Sequence, residues 1–155
     1  MRPDFNPAIL PLTDVLIPNE SEFVALANRL RDGRPLTDAA LAEAPGPALH
    51  RLCRGFGVPY VIVTLGSRGC FVSLPDDHRF IPGHTGIEVV DTTGAGDAFV
   101  GGFAAGLVRT GGDVVASARH GNAVAALSVT KPGTAPSMPT QREIAAFLRR
   151  RGPSR

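Results

Sequence analysis

Apolar positions along this chain switch between two periods, and the switches mark its elements. Met1 to Pro11 is Pro-rich and reads as irregular. Val15-Leu16-Ile17 is a short apolar run closed by Pro18, which predicts a buried strand. Phe23, Leu26, Ala27 and Leu30 then recur three and four apart, the spacing of one helix face. Asn19 stands ahead of them as an N-cap and Glu22 at the third helical position, so the pair reads as a capping box. Thr37 to Ala44 predicts another helix, which Pro45-Gly46-Pro47 interrupts. Leu49, Leu52, Cys53 and Phe56 share a further helical face that Gly57 stops. Tyr60-Val61-Ile62-Val63-Thr64 is apolar almost throughout, as a strand buried on both faces is. Gly66-Ser67-Arg68-Gly69 reads as a turn and Cys70 to Leu74 as the returning strand. His78 to Ile81 predicts a weak strand, and Ile87-Glu88-Val89-Val90 another.

The last third is helical. Phe99, Val100, Phe103, Ala104, Leu107 and Val108 lie at helical spacing, with Gly101, Gly102 and Gly106 among them. Each of those glycines costs about 1 kcal/mol relative to alanine, which predicts close packing against a sheet or a bound nucleotide. Gly111-Gly112 ends that helix and Asp113 caps the next, which runs to about Ser128 with Asn122 interrupting its apolar face. Thr140-Gln141-Arg142-Glu143 is a capping box for a final helix with Ile144, Phe147 and Leu148 facing inward. Strands alternating with helices predict an α/β fold with a mainly parallel sheet flanked by helices, in one domain over 1–155.

Composition narrows the function. The 155 residues carry 16 basic and 14 acidic side chains. The basic ones are dispersed except for Arg149-Arg150-Arg151, a solvated helix end rather than a nucleic-acid footprint. Cys53 and Cys70 sit in apolar patterns without metal or disulfide spacing, which predicts a reducing cytoplasm. No run reaches transmembrane length, and the N-terminus lacks a signal-peptide core, so no membrane partner is expected. His50, His78, His84 and His120 form no ligand cluster and read as structural or exposed.

The chemistry concentrates in Asp91-Thr92-Thr93-Gly94-Ala95-Gly96-Asp97-Ala98-Phe99. A Gly-rich turn there opens a helix. The first N–H groups of a helix lack partners and sit at its positive pole, a place for anionic oxygen. Asp97 does not suit passive phosphate binding. It suits removal of a proton beside a phosphoryl group, with the amides of Gly94, Ala95 and Gly96 receiving the developing charge. It equally suits an acidic residue favoured by the dipole. A dinucleotide fingerprint needs glycine where Phe99 stands, and the lone lysine, Lys131, lies in no P-loop.

This stretch, with Gly101-Gly102-Phe103 following, closely resembles the second signature of the ribokinase-like (PfkB) carbohydrate kinases. The resemblance implies ATP-dependent phosphorylation of a sugar hydroxyl with Asp97 as base. Other segments resemble the family in order. Asn19 and Glu22 resemble its Asn-x-x-Glu motif, which implies that they organise Mg2+-bound phosphates. Thr64-Leu65-Gly66-Ser67-Arg68-Gly69 resembles its nucleotide-lining turn, implying Thr64, Gly66, Ser67, Arg68 and Gly69 as nucleotide contacts, with a solvated turn arginine the alternative for Arg68. Asn122 matches a position beside the adenine. Asp91, Thr93, Ser128, Lys131, Gly133 and Ser137 match segments that enclose a monovalent cation, implying K+. The motifs look most like the ribose-specific branch; fructose, ketodeoxygluconate and nucleoside branches stay open.

The resemblance runs from Asn6 to Phe147 and corresponds to the family's C-terminal half. The family's Gly-Gly signature, sugar-binding residues and small β lid are not recognisable. The implied partners are a small-molecule sugar and either a homodimer mate or a missing N-terminal half. The alternative is a truncated, non-catalytic nucleotide-binding remnant or half of a split kinase.

Overall fold

The computed structural model describes residues 6–30 and 35–151. The first five residues of the Pro-rich start lie outside this range. Within the described range the segment is not irregular: Pro7–Leu12 forms a 3-10 helix capped by the Asn6 side chain. Two compact units divide the chain, residues 1–81 and 82–155.

The first unit holds strands β1 (Val15–Leu16), β2 (Tyr60–Thr64), β3 (Gly69–Ser73) and β4 (His78–Pro82), and helices α1 (Glu20–Leu30), α2 (Asp38–Ala42) and α3 (Gly46–Arg54). The strands lie side by side in the order β1-β2-β3-β4. β1 pairs parallel to β2, with Val15 opposite Tyr60. β2 and β3 form the expected antiparallel hairpin, with Thr64 opposite Cys70. The α/β class is as expected, but these pairings make the sheet mixed rather than mainly parallel, because a tight turn can join β2 to β3 only antiparallel.

The core of this unit follows the sequence periods. Phe23, Leu26 and Ala27 of α1 pack with Leu49 and Cys53 of α3 and with Val61, Val63 and Phe71 of the sheet. Phe23 and Phe56 meet as tilted rings 5.2 Å apart. Burial pushes the Cys53 thiol up to about 12, so it is inert packing. The histidines here also pack: His50 Nδ1 lies 2.8 Å from Ser73 Oγ, and His78 stacks on His50 and on Phe71.

The second unit is built on α4 (Ala95–Thr110), α5 (Val114–Ser128) and α6 (Gln141–Arg151). Its α4 glycines serve a different neighbour from the one expected. A Cβ on Gly102 would stand 2.8 Å from Val124 and 2.9 Å from the Gly121 backbone, and one on Gly106 would stand 2.8 Å from Ser117. They therefore let α4 and α5 touch backbone to backbone. Gly101 faces open space. Ala98, Val124 and Ile144 form a buried cluster with Leu127 and Met138. Leu148, expected inward, is exposed.

The strand expected at Ile87–Val90 is absent. Val89 and Val90 are 60% and 55% exposed, and the amides of Val90 and Asp91 both donate to the Val129 carbonyl at the end of α5. A β-rich run without a neighbouring strand cannot close a ladder. Among the described residues no helix is long and apolar enough to cross a membrane.

Candidate active site

Each unit carries its own set of motif residues. In the first, chain direction decides the set. Pro18 stops β1, and the parallel pairing continues as an isolated bridge between Asn19 and Thr64. The Thr64 amide donates to the Pro18 carbonyl at 2.9 Å. Asn19 is thus fixed at the mouth of α1, beside the end of β2. There it forms the predicted capping box, with Asn19 Oδ1 accepting from the Glu22 amide and Glu22 Oε2 accepting from the Asn19 amide, both at 2.9 Å. One Glu22 oxygen stays outside this pair.

The turn after β2 is a 3-10 turn over Gly66–Arg68. Gly66 has φ +57° and Gly69 φ +103°, a backbone that side chains resist. Gly66, Ser67 and Arg68 are exposed, while Gly69 is buried at the start of β3. Arg68 is neither free nor purely solvated. It forms an ion pair with Glu20 on the first turn of α1, a partner the sequence did not announce across 48 positions.

In the second unit, two loops are stapled by one carboxylate. Asp91 Oδ1 accepts from the Thr93 amide at 2.9 Å, and Oδ2 accepts from the Gly133 amide at 2.8 Å. Hydrogen bonds from the Thr93 side chain and amide, then from Gly133, hold the Asp91 carboxyl down at about 2. This brings Asp91, Thr93 and Gly133 together. Gly94 then turns with φ +79°, and a Cβ on it would stand 3.0 Å from the Thr134 methyl. Thr134 is a neighbour the sequence reading missed, because nothing local links it to Gly94.

The mouth of α4 begins at that glycine and has no side-chain cap. The Ala95 amide is already used, donating to the Thr92 carbonyl at 3.1 Å. Of the expected trio of receiving amides, Gly94 and Gly96 have no protein acceptor among the described residues, while Ala95 has this one. Asp97 stands in the first turn, exposed, with no hydrogen bond or ion pair among the described residues.

The remaining candidates have structural partners. Asn122 is neither exposed nor bonded within its own helix: it is 7% exposed and its Nδ2 donates to the Pro82 carbonyl at 2.8 Å. The Ser128 hydroxyl donates to Ala125 O at 2.8 Å and the Ser137 hydroxyl to Thr134 O at 2.6 Å, both within their own turns. The Lys131 side chain pairs with Glu143 at 2.7 Å, and its amide donates to Ser128 O at 3.3 Å. Among the described residues no three His, Cys, Asp or Glu side chains cluster as a metal site. A Mg2+ ion fits such a setting only if phosphate and water supply most of its oxygens, with Glu22 giving one. For K+, the structure shows only that Asp91 ties the Thr93 and Gly133 loops together.

Comparison with known proteins gives the same family throughout. A profile described as pfkB family carbohydrate kinase matches residues 3–141. A ribokinase from Haemophilus influenzae is 37% identical over 140 residues, 90% of this chain and 42% of that protein. The crystal structure of a ribokinase from Thermotoga maritima superposes with TM-score 0.79 at 33% identity, over 95% of this chain and 46% of that one. A fructokinase from Vibrio cholerae, solved with fructose, ADP and calcium ion bound, gives TM-score 0.70 at 28% identity, over 91% of this chain and 42% of that one. The chain spans less than half the length of these relatives.

Proposed function

The chain belongs to the pfkB family of carbohydrate kinases, and from that premise we propose that its protein transfers the γ-phosphoryl group of ATP to a sugar hydroxyl. The observation that carries this reading is the mouth of α4, where glycine replaces a capping side chain and an unpartnered carboxylate stands beside open amides. Asp97 accepts the hydroxyl proton as the sugar oxygen bonds to the γ-phosphorus and the bond to the ADP oxygen breaks. The Gly94 and Gly96 amides face the charge that grows on the transferring group, where fixed donors act without reorganisation. Asp91 positions this mouth by holding Thr93 and Gly133.

In the first unit, Thr64 and the Gly66–Gly69 turn contribute nucleotide contacts, and Gly66 and Gly69 permit close backbone approach. Arg68 is held by Glu20 and so contributes from a fixed position. Asn19 and the second oxygen of Glu22 serve the water shell of Mg2+, which, when bound, screens phosphate charge. Thr93, Lys131 and Gly133 offer main-chain oxygen to K+, while Ser128 and Ser137 shape the surrounding turns. Asn122 acts through the Pro82 carbonyl as a positioning residue for the adenine side. Ribose is the first sugar to test, with fructose and 2-dehydro-3-deoxygluconate beside it.

A second reading is nucleotide binding without sugar turnover. ADP release with ATP, Mg2+ and K+ across a sugar panel separates the two. Sugar-stimulated release that Asp97→Asn abolishes is the expected result. Release unchanged in that variant removes Asp97 as the base, and ATP binding without stimulation by any sugar favours the second reading.

A further inference from the structure

Glu20 stands between Asn19 and Glu22 and takes no part in their capping box. Its carboxylate instead pairs with the Arg68 guanidinium, 48 positions away on the turn after β2. Main-chain links already join these two segments: the bridge between Asn19 and Thr64, and the Thr64 amide donating to the Pro18 carbonyl at 2.9 Å. The backbones are therefore registered without the ion pair. What the pair decides is the direction of the Arg68 side chain.

As a device for stability the pair is weak. The two side chains are 44% and 33% exposed, and ion pairs open to solvent contribute little to folding. As a device for orientation it is well made. An arginine loose in solvent samples many rotamers, and ordering it on a ligand weakens binding. A guanidinium presents its N–H donors in a fixed fork. Glu20 Oε1 takes the Nη2 corner, and among the described residues the rest of the fork has no partner. A carboxylate placed only to neutralise Arg68 would do so more strongly through two parallel bonds. The single contact leaves donors over for a ligand. Helix α1 keeps Glu20 in place, since an acid in the first turn is favoured by the dipole.

We propose that Glu20 is a positioning residue: it holds the Arg68 guanidinium in the orientation that meets the charged part of the nucleotide, so that this arginine is already ordered when the nucleotide arrives. This rests on the reading of the Gly66–Gly69 turn as nucleotide-lining and adds Glu20 to it.

The test is calorimetric titration of the full chain with ADP, once with excess Mg2+ and once with EDTA, for the parent, Glu20→Ala, Arg68→Gln and the double variant. Arg68→Gln should weaken ADP binding by roughly tenfold or more, the weight of a lost charged hydrogen bond. Glu20→Ala should weaken it by roughly two- to tenfold, the weight of one long side chain left to be ordered on binding. The same loss should appear in EDTA, because the role runs through Arg68 and not through the metal. The double variant should bind like Arg68→Gln alone, as two residues acting through one contact do. Adenosine, which lacks the charged part, should bind every variant alike, and urea unfolding midpoints should stay close together. Glu20→Ala binding ADP as tightly as the parent would overturn the proposal. Tighter binding would also overturn it and mark Glu20 as a competitor for Arg68. So would a loss seen only with Mg2+, an equal loss with adenosine, or full additivity in the double variant. A parent chain that binds no ADP removes the nucleotide reading of the turn and this role with it, whereas a parent that binds ADP beside an indifferent Glu20→Ala removes the role of Glu20 alone.

Discussion

Helix α1 opens on Asn19 and Glu22, whose side chains satisfy each other's amides at 2.9 Å. Helix α4 opens on Gly94, which satisfies none. The other mouths resemble the first: Thr37 caps α2, Asp113 caps α5, and Thr140 with Glu143 boxes α6. Only α3 also lacks a side-chain cap among the described helices, and there Pro47 removes one of the donors that would need it. A cap is worth about 1 kcal/mol. At α4 glycine stands in that place, which costs only roughly a few tenths of a kcal/mol; Asp91 holds the preceding loop through Thr93 and Gly133, and two amides and one carboxylate there have no partner among the described residues. The mouth of α1 is thus closed by its own side chains, whereas that of α4 is open and its preceding loop is held by Asp91.

The comparison breaks most visibly at Asp97. Asp97→Asn should lower kcat by roughly 10²–10⁴-fold, the range of general-base catalysis, and leave the ATP dissociation constant nearly unchanged in equilibrium dialysis. Gly94→Val should follow. Its φ of +79° and the Thr134 methyl 3.0 Å from the new Cβ predict a loss of about 1–3 kcal/mol, read by urea unfolding, together with weaker nucleotide binding. At the closed mouth the expected effects are smaller and divide by chemistry. Glu22→Ala should cost about 1 kcal/mol of stability. Glu22→Gln keeps an acceptor for the Asn19 amide, so it should keep stability while weakening the Mg2+ dependence of ATP binding.

The brace sharpens the contrast through pH. Asp91 has an ordinary value of 3.8 and is held at about 2 in the folded chain. A depressed carboxyl contributes its stabilisation fully above the unfolded value and loses it as pH falls from about 3.8 through about 2. Amide shifts of Thr93 and Gly133 should therefore move together over that interval, and Asp91→Asn should remove the transition. Glu143, held at about 2 chiefly by Lys131, should titrate at the α6 mouth in the same acidic range without moving Thr93.

What the sequence revealed was local or periodic. The boxes at Asn19–Glu22 and Thr140–Glu143 lie within one helical turn, so residue type and spacing specify them completely. The all-apolar β2 strand and the α1 face emerged for the same reason. The Arg68–Glu20 pair, the Thr134 contact to Gly94 and the Asn122 bond to Pro82 O join positions 40 or more apart. Nothing in the spacing of those residues encodes such pairs. Ile87–Val90 shows the opposite failure: its composition suits a strand, but the described residues place no strand beside it. The α4 glycines had a recognisable need for close approach, but which surface approached was decided by Gly121 and Ser117 on another helix.

The central claim is that the open mouth of α4 holds the nucleotide's phosphates. Amide NMR of the chain with Mg2+ and the non-hydrolysable β,γ-imido analogue of ATP tests it directly. The account predicts saturable shifts at Gly94 and Gly96, with the capped mouths of α5 and α6 unmoved. Saturation elsewhere in the chain while Gly94 and Gly96 stay in place would contradict it.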